Sequence, residues 1–268
     1  MNVSDLLAVI EKTAPLAAAA PWDASGIQVA AFRQDLKHVA IMLDPRLSAI
    51  TQAVEAGADF ILCHHPLSMK PVFPNRADTY LKILGFLLRH DVWLYSAHTS
   101  FDASPHGTVG WLGRELGLVD AKVLEPGPQP PGCPDAPFGF GCVGSLSPAI
   151  PYDDFCQKLA LAIGKTEWTG SGPIPDQVFR MAFCPGSGSS MLNAALQAGA
   201  DVFVTGDVKY HAALEAEDLG LRLLDVGHFS LEEEMFRRYA GELADSLPLK
   251  ISFFPGADPI LTERVNLV

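Results

Sequence analysis

The chain has few of the residues that crosslink a fold or anchor it in a membrane. It holds five cysteines, Cys63, Cys133, Cys142, Cys156 and Cys184, an odd number with no C-x-x-C pair. That excludes a disulfide framework and a thiolate zinc knuckle, and it points to a reducing compartment. Cationic residues are also scarce. There are 19 Lys and Arg against 31 Asp and Glu, a net charge of −12, and no basic block. Binding a phosphate backbone needs clustered cations, so no general nucleic-acid partner is expected. No apolar run approaches the length of a membrane span, and the short alanine run between Pro15 and Pro21 is not a secretory signal. A cytoplasmic protein with no membrane partner is expected.

What the chain has in quantity is apolar side chains. Hydrophobic residues make up 49% of the 268 and charged residues 19%. This is a core-forming globular composition, sufficient for one large domain or two ordinary ones. Spacing predicts helices over 3–12, 46–56, 79–89, 109–116, 152–163, 187–199, 210–219 and 231–244. Short apolar runs predict strands ending at 29 and over 39–44, 60–63, 92–96, 138–144, 178–184, 202–205, 221–226 and 251–254. The two Pro residues within 70–75 make that stretch an irregular loop. Strands alternating with helices give an α/β fold with mainly parallel sheets. Residues 126–137 contain six prolines and cannot form a core element. They divide the chain into a first lobe, 1–125, a linker, 126–137, and a second lobe, 138–268.

The two lobes resemble each other. Ala56-Gly57-Ala58-Asp59-Phe60 matches Ala198-Gly199-Ala200-Asp201-Val202. At that offset His64 and His65 fall on Gly206 and Asp207. One strand later, His98 is followed four residues on by Asp102, and His228 four residues on by Glu232. The two pairs are expected to superpose, each lying after a strand at the start of a helix. Ligands gather at the carboxyl ends of strands in α/β sheets, and residues i and i+4 share a helix face. A lone His-His pair is most simply a polar strand end. With two His-x-x-x-acid pairs at matching places it becomes a metal site. His64, His65, Asp102, His228 and Glu232 are the ligand candidates, with His98 either a sixth ligand or a group that orients one. The pool exceeds the needs of one tetrahedral ion. It fits two divalent ions about 3.5–4 Å apart sharing a carboxylate. Glu232, a methylene longer than Asp102, is expected to contact both, with His64 and His65 on different ions.

Other residues carry weaker signals. Gly186-Ser187-Gly188-Ser189-Ser190 either cradles an anion or is a glycine-rich turn with a serine cap. Asp207 and His211 either line the pocket or face solvent. Lys70, Lys209 and Tyr210 are candidate substrate contacts. No serine or cysteine nucleophile is advertised, and Cys63 reads as a small buried residue.

Taken together, Trp22-Asp23 with Gly26, Gly57-Ala58-Asp59 through His64-His65-Pro66, His98-Thr99 with Asp102, Gly186-Ser187-Gly188-Ser189, Thr205-Gly206-Asp207 through His211, and Gly227-His228 with Glu232 resemble the Nif-three-like dinuclear metal-centre family. Its members are often labelled GTP cyclohydrolase 1 type 2 homologues. The resemblance spans nearly the whole chain. It implies two divalent cations per chain, Zn, Fe or Mn, held by His64, His65, Asp102, His228 and Glu232 between two related lobes, and a ring-like homo-hexamer. The expected function is metal-dependent hydrolysis of a small-molecule nucleotide or phosphoester, with water activated by the metals as nucleophile. The alternative is a non-enzymatic metal-binding assembly or regulatory protein.

Overall fold

The computed structural model describes residues 1–107, 111–133 and 136–261. Val109 and Gly110 of the expected helix and Pro134 and Asp135 of the linker lie outside the described residues. The chain opens with α1 (Val3–Thr13), β1 (Gly26–Val29), β2 (His38–Met42), α2 (Leu47–Glu55), β3 (Phe60–Cys63), α3 (Thr79–His90), β4 (Trp93–Ser96) and a single turn, α4 (Thr99–Asp102). Then follow α5 (Leu112–Leu116), β5 (Val119–Pro126), β6 (Gly139–Pro151), α6 (Tyr152–Ile163), β7 (Thr169–Ser171), β8 (Gln177–Phe183) and α7 (Leu192–Gln197). The last elements are β9 (Val202–Thr205), α8 (Tyr210–Leu219), β10 (Arg222–Asp225), α9 (His228–Ser246) and β11 (Lys250–Phe253).

Two sheets result, in the orders β1-β4-β3-β2-β11 and β5-β6-β8-β9-β10-β7. Each contains the same motif. Strands β2, β3 and β4 run parallel with β1 antiparallel on β4, and β8, β9 and β10 run parallel with β7 antiparallel on β10. The duplication extends to hydrogen bonds. Asp59 accepts the backbone N–H groups of Lys37 and His38 at the start of β2, and Asp201 accepts those of Phe179 and Arg180 within β8, so each aspartate pins the neighbouring strand. Strands also cross the expected division. Strand β5 pairs with β6 in the second sheet, and β11 returns to pair with β2 in the first. Sequence spacing does not reveal β5 or β7. The former has polar residues at Asp120, Lys122 and Glu125, and the latter is the edge segment Thr-Gly-Ser, without an apolar residue.

Side-chain alternation along the strands sets the layers. Phe60 and Leu62 join Val202, Val204 and Leu224 in one central cluster between the sheets, together with Leu6 and Ile10 of α1, Phe155 of α6, and Phe236 and Tyr239 of α9. The alternate residues Ile61 and Cys63 face α2 and α3, and Phe203 faces α7 and α8. Helix α9 is therefore clamped in the middle layer, packed on β2 and β11. Phe236 and Tyr239 are almost fully buried and pack against Phe101, the first edge-to-face and the second with the rings tilted. Burying each such ring contributes on the order of 2–3 kcal/mol. This packing fixes the start of α9 against the carboxyl ends of β3 and β4.

Candidate metal centre

Strand β3 runs straight into His64 and His65. His64 keeps the inward register of Leu62. It is wholly buried, with its ring 4.8 Å from that of Phe236. Its Nδ1 donates to the carbonyl of Ala97 at 2.9 Å. A carbonyl can only accept, so the proton is on Nδ1 and the lone pair on Nε2. That Nε2 has no hydrogen-bond partner. It lies 3.7 Å from Asp102 Oδ1 and 3.6 Å from Glu232 Oε1.

The other three imidazoles are each fixed through Nδ1 by a carboxylate. His65 donates to Asp44 at 2.8 Å, His98 to Asp23 at 2.6 Å, and His228 to Asp207 at 2.7 Å. Each ring is left with Nε2 for the centre. The Nε2 atoms of His65 and His228 stand 3.3 Å apart, and they lie 3.0 Å and 2.8 Å from Glu232 Oε2. The buried Glu232 thus turns Oε1 toward His64 and Oε2 toward His65 and His228. Three groups bring ligand atoms within 4.8 Å of one another: His64, Asp102 and Glu232; His65, His228 and Glu232; and His64, His65 and His98. The structure therefore brings all six sequence candidates together.

The electrostatics favour positive charge at this centre. Burial, and then the charge of Glu232, push the Asp102 carboxyl up to about 8. Burial opposes ionisation of Glu232 as well, yet the surrounding imidazoles of His64, His228 and His65 hold its carboxyl well below the usual range. Burial disfavours charge on His65 and His228. For His65, Asp44 and Glu232 outweigh it and push the imidazole up to about 10. For His228, Glu232 and Asp207 push it up to about 9. The site binds protons tightly for the same reason it suits a cation. A metal ion fits the residues present: His64 Nε2 and Asp102 Oδ1 are buried with no hydrogen-bond partner, a condition native structures rarely tolerate for purely structural polar atoms. Imidazole and carboxylate without thiolate suit Zn, Fe or Mn.

Sequence reasoning singled out Asp207 and the Trp22-Asp23 pair without giving them the role of holding the ligand rings, and it overlooked Asp44. Asp23 accepts from His98, from the Thr99 N–H and hydroxyl, and from the Ser25 hydroxyl. Burial would raise its pKa, but these hydrogen bonds prevail and hold the carboxyl far below the usual range. The available signal was an aspartate at the end of a strand for Asp44, and the Trp22-Asp23 pair. The glycine-rich turn does not present itself to an anion. Its Gly188 N–H donates to Thr205, and a side chain at Gly186, where φ is +67°, would meet Glu232 Oε1 at 2.6 Å. The glycine makes room for the carboxylate. Asp207 pairs with His228, whereas His211 packs edge-on to Tyr210. The Cys63 thiol donates to the carbonyls of His65 and Tyr95, and burial raises its pKa, as a structural thiol requires. Lys70, Lys209 and Tyr210 are exposed and do not line the cavity of about 610 Å³ that opens beside His65 and His228. That cavity is lined by Arg46, Lys165, Trp168, Phe229 and Ile260 among others.

Known proteins share both the sequence and the fold. The family model Duf34/NIF3 (NGG1p interacting factor 3) matches residues 1–259. A "GTP cyclohydrolase 1 type 2 homolog" of Methanocaldococcus jannaschii is 30% identical over 253 residues, covering 94% of this chain and 98% of that protein. One from Clostridium perfringens is 28% identical over 255 residues, covering 94% and 95%. Among solved structures, reduced HcgD from Methanocaldococcus jannaschii aligns at a TM-score of 0.81 with 29% identity, covering 95% of this chain and 98% of that one. A hypothetical protein of Staphylococcus aureus aligns at 0.86 with 24% identity, covering 98% and 99%, and shows the fold alone.

Proposed function

The chain belongs to the Duf34/NIF3 family, and from that premise we propose that it holds two divalent metal ions, Zn, Fe or Mn, and uses them to hydrolyse a nucleotide or another phosphoester. The observation that carries this reading is the division of Glu232. One carboxylate oxygen faces the group of His64 and Asp102, and the other faces His65 and His228. Two cations in such a centre supply charge neutralisation at phosphorus and an activated water nucleophile. The protein's own part is to orient and to exclude water. Ala97 O, Asp44, Asp23 and Asp207 fix the four imidazole rings, and Phe236 seals the inner side of His64. The open side faces the cavity, where a substrate reaches His65 and His228. The names of the relatives, with GTP as the implied substrate, agree with a nucleotide but rest on similarity.

The test is an activity screen over nucleotides and phosphoesters with metal-loaded and chelated protein side by side. Turnover confined to the loaded protein supports the hydrolase. Metal binding with no turnover on any of them favours the alternative, a metal-holding interaction protein, in line with the family's description as an interacting factor. Among the described residues no helix is long and apolar enough to cross a membrane. We further read the chain as cytoplasmic, with its five free thiols, and as a homo-hexamer. The exposed Phe32, Phe73 and Leu161 support assembly, and light scattering gives the mass that decides it.

A further inference from the structure

Two cavities meet at His65. Beside the cavity of about 610 Å³ lies a second of about 370 Å³, and Asp44, Arg46 and His65 line both. Each volume lies in the range of small-molecule sites. The shared residues form one chain of contacts. The His65 ring donates to Asp44 at 2.8 Å, and Arg46 faces the same carboxylate at 3.6 Å. His65 Nε2 lies 3.0 Å from Glu232, so the residue at the junction is itself part of the metal centre. Beyond these three residues the cavities differ. The smaller is built from the first half alone, by the chain after β2, the chain after β3 and the start of α3. Leu47, Leu67, Tyr80 and Ile83 give it an apolar wall beside the exposed Thr79, and among the described residues no charged side chain but the shared ones enters it. The larger carries five carboxylates against Arg46 and Lys165, and these two cations already face Asp44 and Asp258. A phosphate monoester has one organic arm and close to two negative charges at neutral pH. It would leave one cavity without an arm and bring its second charge to an acidic wall. A diester has two arms and one charge.

Resting on the hydrolase reading, we propose that the substrate is a phosphodiester, its phosphorus at the His65 junction, one uncharged arm in the smaller cavity and the other arm in the larger. Hydrolysis adds the oxygen of water to phosphorus and breaks one P–O bond. The freed arm leaves as an alcohol with one proton of that water, and the other arm keeps the phosphate as a monoester. That product fills a single cavity and carries the extra charge, and both favour its release.

Calorimetric titration of the zinc-loaded protein with two compounds that have no ester bond to hydrolyse tests this. Dibenzylphosphinate has two arms and one charge, and benzylphosphonate has one arm and a second charge. Burial of the second arm predicts about tenfold tighter binding of the phosphinate. Thr79→Trp, which adds a bulky ring to the wall of the smaller cavity from an exposed position, should bring the two affinities together. Tyr80→Phe, which keeps that wall, should keep the difference. Equal or weaker binding of the phosphinate in the unaltered chain, no binding of either compound, or a preference that persists in Thr79→Trp overturns the proposal. A second measurement needs no substitution. The methyl resonances of Leu47, Leu67 and Ile83 should shift when the phosphinate is added to the unaltered chain, and unmoved resonances also overturn it. The two readings fail separately. Turnover of para-nitrophenyl phosphate with none of bis-para-nitrophenyl phosphate removes the diester and leaves the hydrolase. Two-armed binding at the smaller cavity without turnover of either ester does the reverse.

Discussion

The two halves build the same trio of parallel strands and then diverge at the strand ends. After β3 the first half has His64 and His65, where the second, after β9, has Gly206 and Asp207. Two residues past β2 the first half has Asp44, whereas the corresponding position past β8 is Gly186. The first half supplies ligands from its strands. The second supplies a long helix, and its strand ends carry glycine so that the helix can come close. A side chain at Gly206 would lie 2.4 Å from the His228 backbone nitrogen, and one at Gly186 would strike Glu232. Duplication thus gave one sheet the imidazoles and left the other the clearance that α9 needs.

The largest effect should come from filling that clearance. Gly206→Ala forces a methyl into the backbone at 227–228, and overpacking of this kind costs about 3 kcal/mol. Gly57→Ala, in the first half, meets nothing within 4 Å and faces only its φ of +89°, a cost of about 1–2 kcal/mol. Denaturant midpoints of the two variants compare the halves directly. Equal losses would show that the glycine at 206 does not serve to admit α9.

Next in size is the pH dependence of the chelated chain. Asp102, His65 and His228 all bind a proton more tightly folded than unfolded, so the native state holds more protons and stability falls as pH rises. The window runs from the ordinary 3.8 to about 8 for Asp102, and from 6.5 to about 10 and about 9 for His65 and His228. Glu232 has the opposite sign, but its contribution is lost only below 4.5. The melting temperature of the chelated protein should therefore drop between about pH 6 and pH 9 while the loaded protein holds, widening the gap. A chelated protein that gains stability over that range contradicts this.

A smaller effect separates the carboxylates that pin the rings. Asp44→Asn in the first half should weaken metal binding roughly 10–100-fold. Asp207→Asn should cost less, because that carboxylate is 42% exposed and solvent can take its place. Metal titration ranks them, and a larger loss in Asp207→Asn would reverse the assignment of the first half as the tighter holder.

The ligands were legible because histidines and acids at strand ends have few structural uses, and because the second half repeats the His-x-x-x-acid spacing. The exact superposition was not. Strands β4 and β10 do occupy equivalent places, but counting from the register of Trp93 and Arg222 sets Gly227, not His228, at the position of His98. Helix α9 begins at His228 and α4 at Thr99, so the second histidine enters one residue later and the chemistry converges from a different direction. The partners Asp23, Asp44 and Asp207 were illegible as such because an aspartate's partner lies across a sheet, not along the chain. Lys165 and Trp168 lie in the loop between α6 and β7, where no periodicity marks them.

The account turns on Glu232 serving both cation positions. Elemental analysis of the unaltered chain, Glu232→Gln and His65→Ala, purified in parallel, tests it most directly. Two ions per chain are expected in the first, a loss at both positions in Glu232→Gln, and about one ion remaining in His65→Ala, since of the two groups that share Glu232 that ring belongs only to the one with His228. Glu232→Gln retaining two ions while His65→Ala loses both would contradict it.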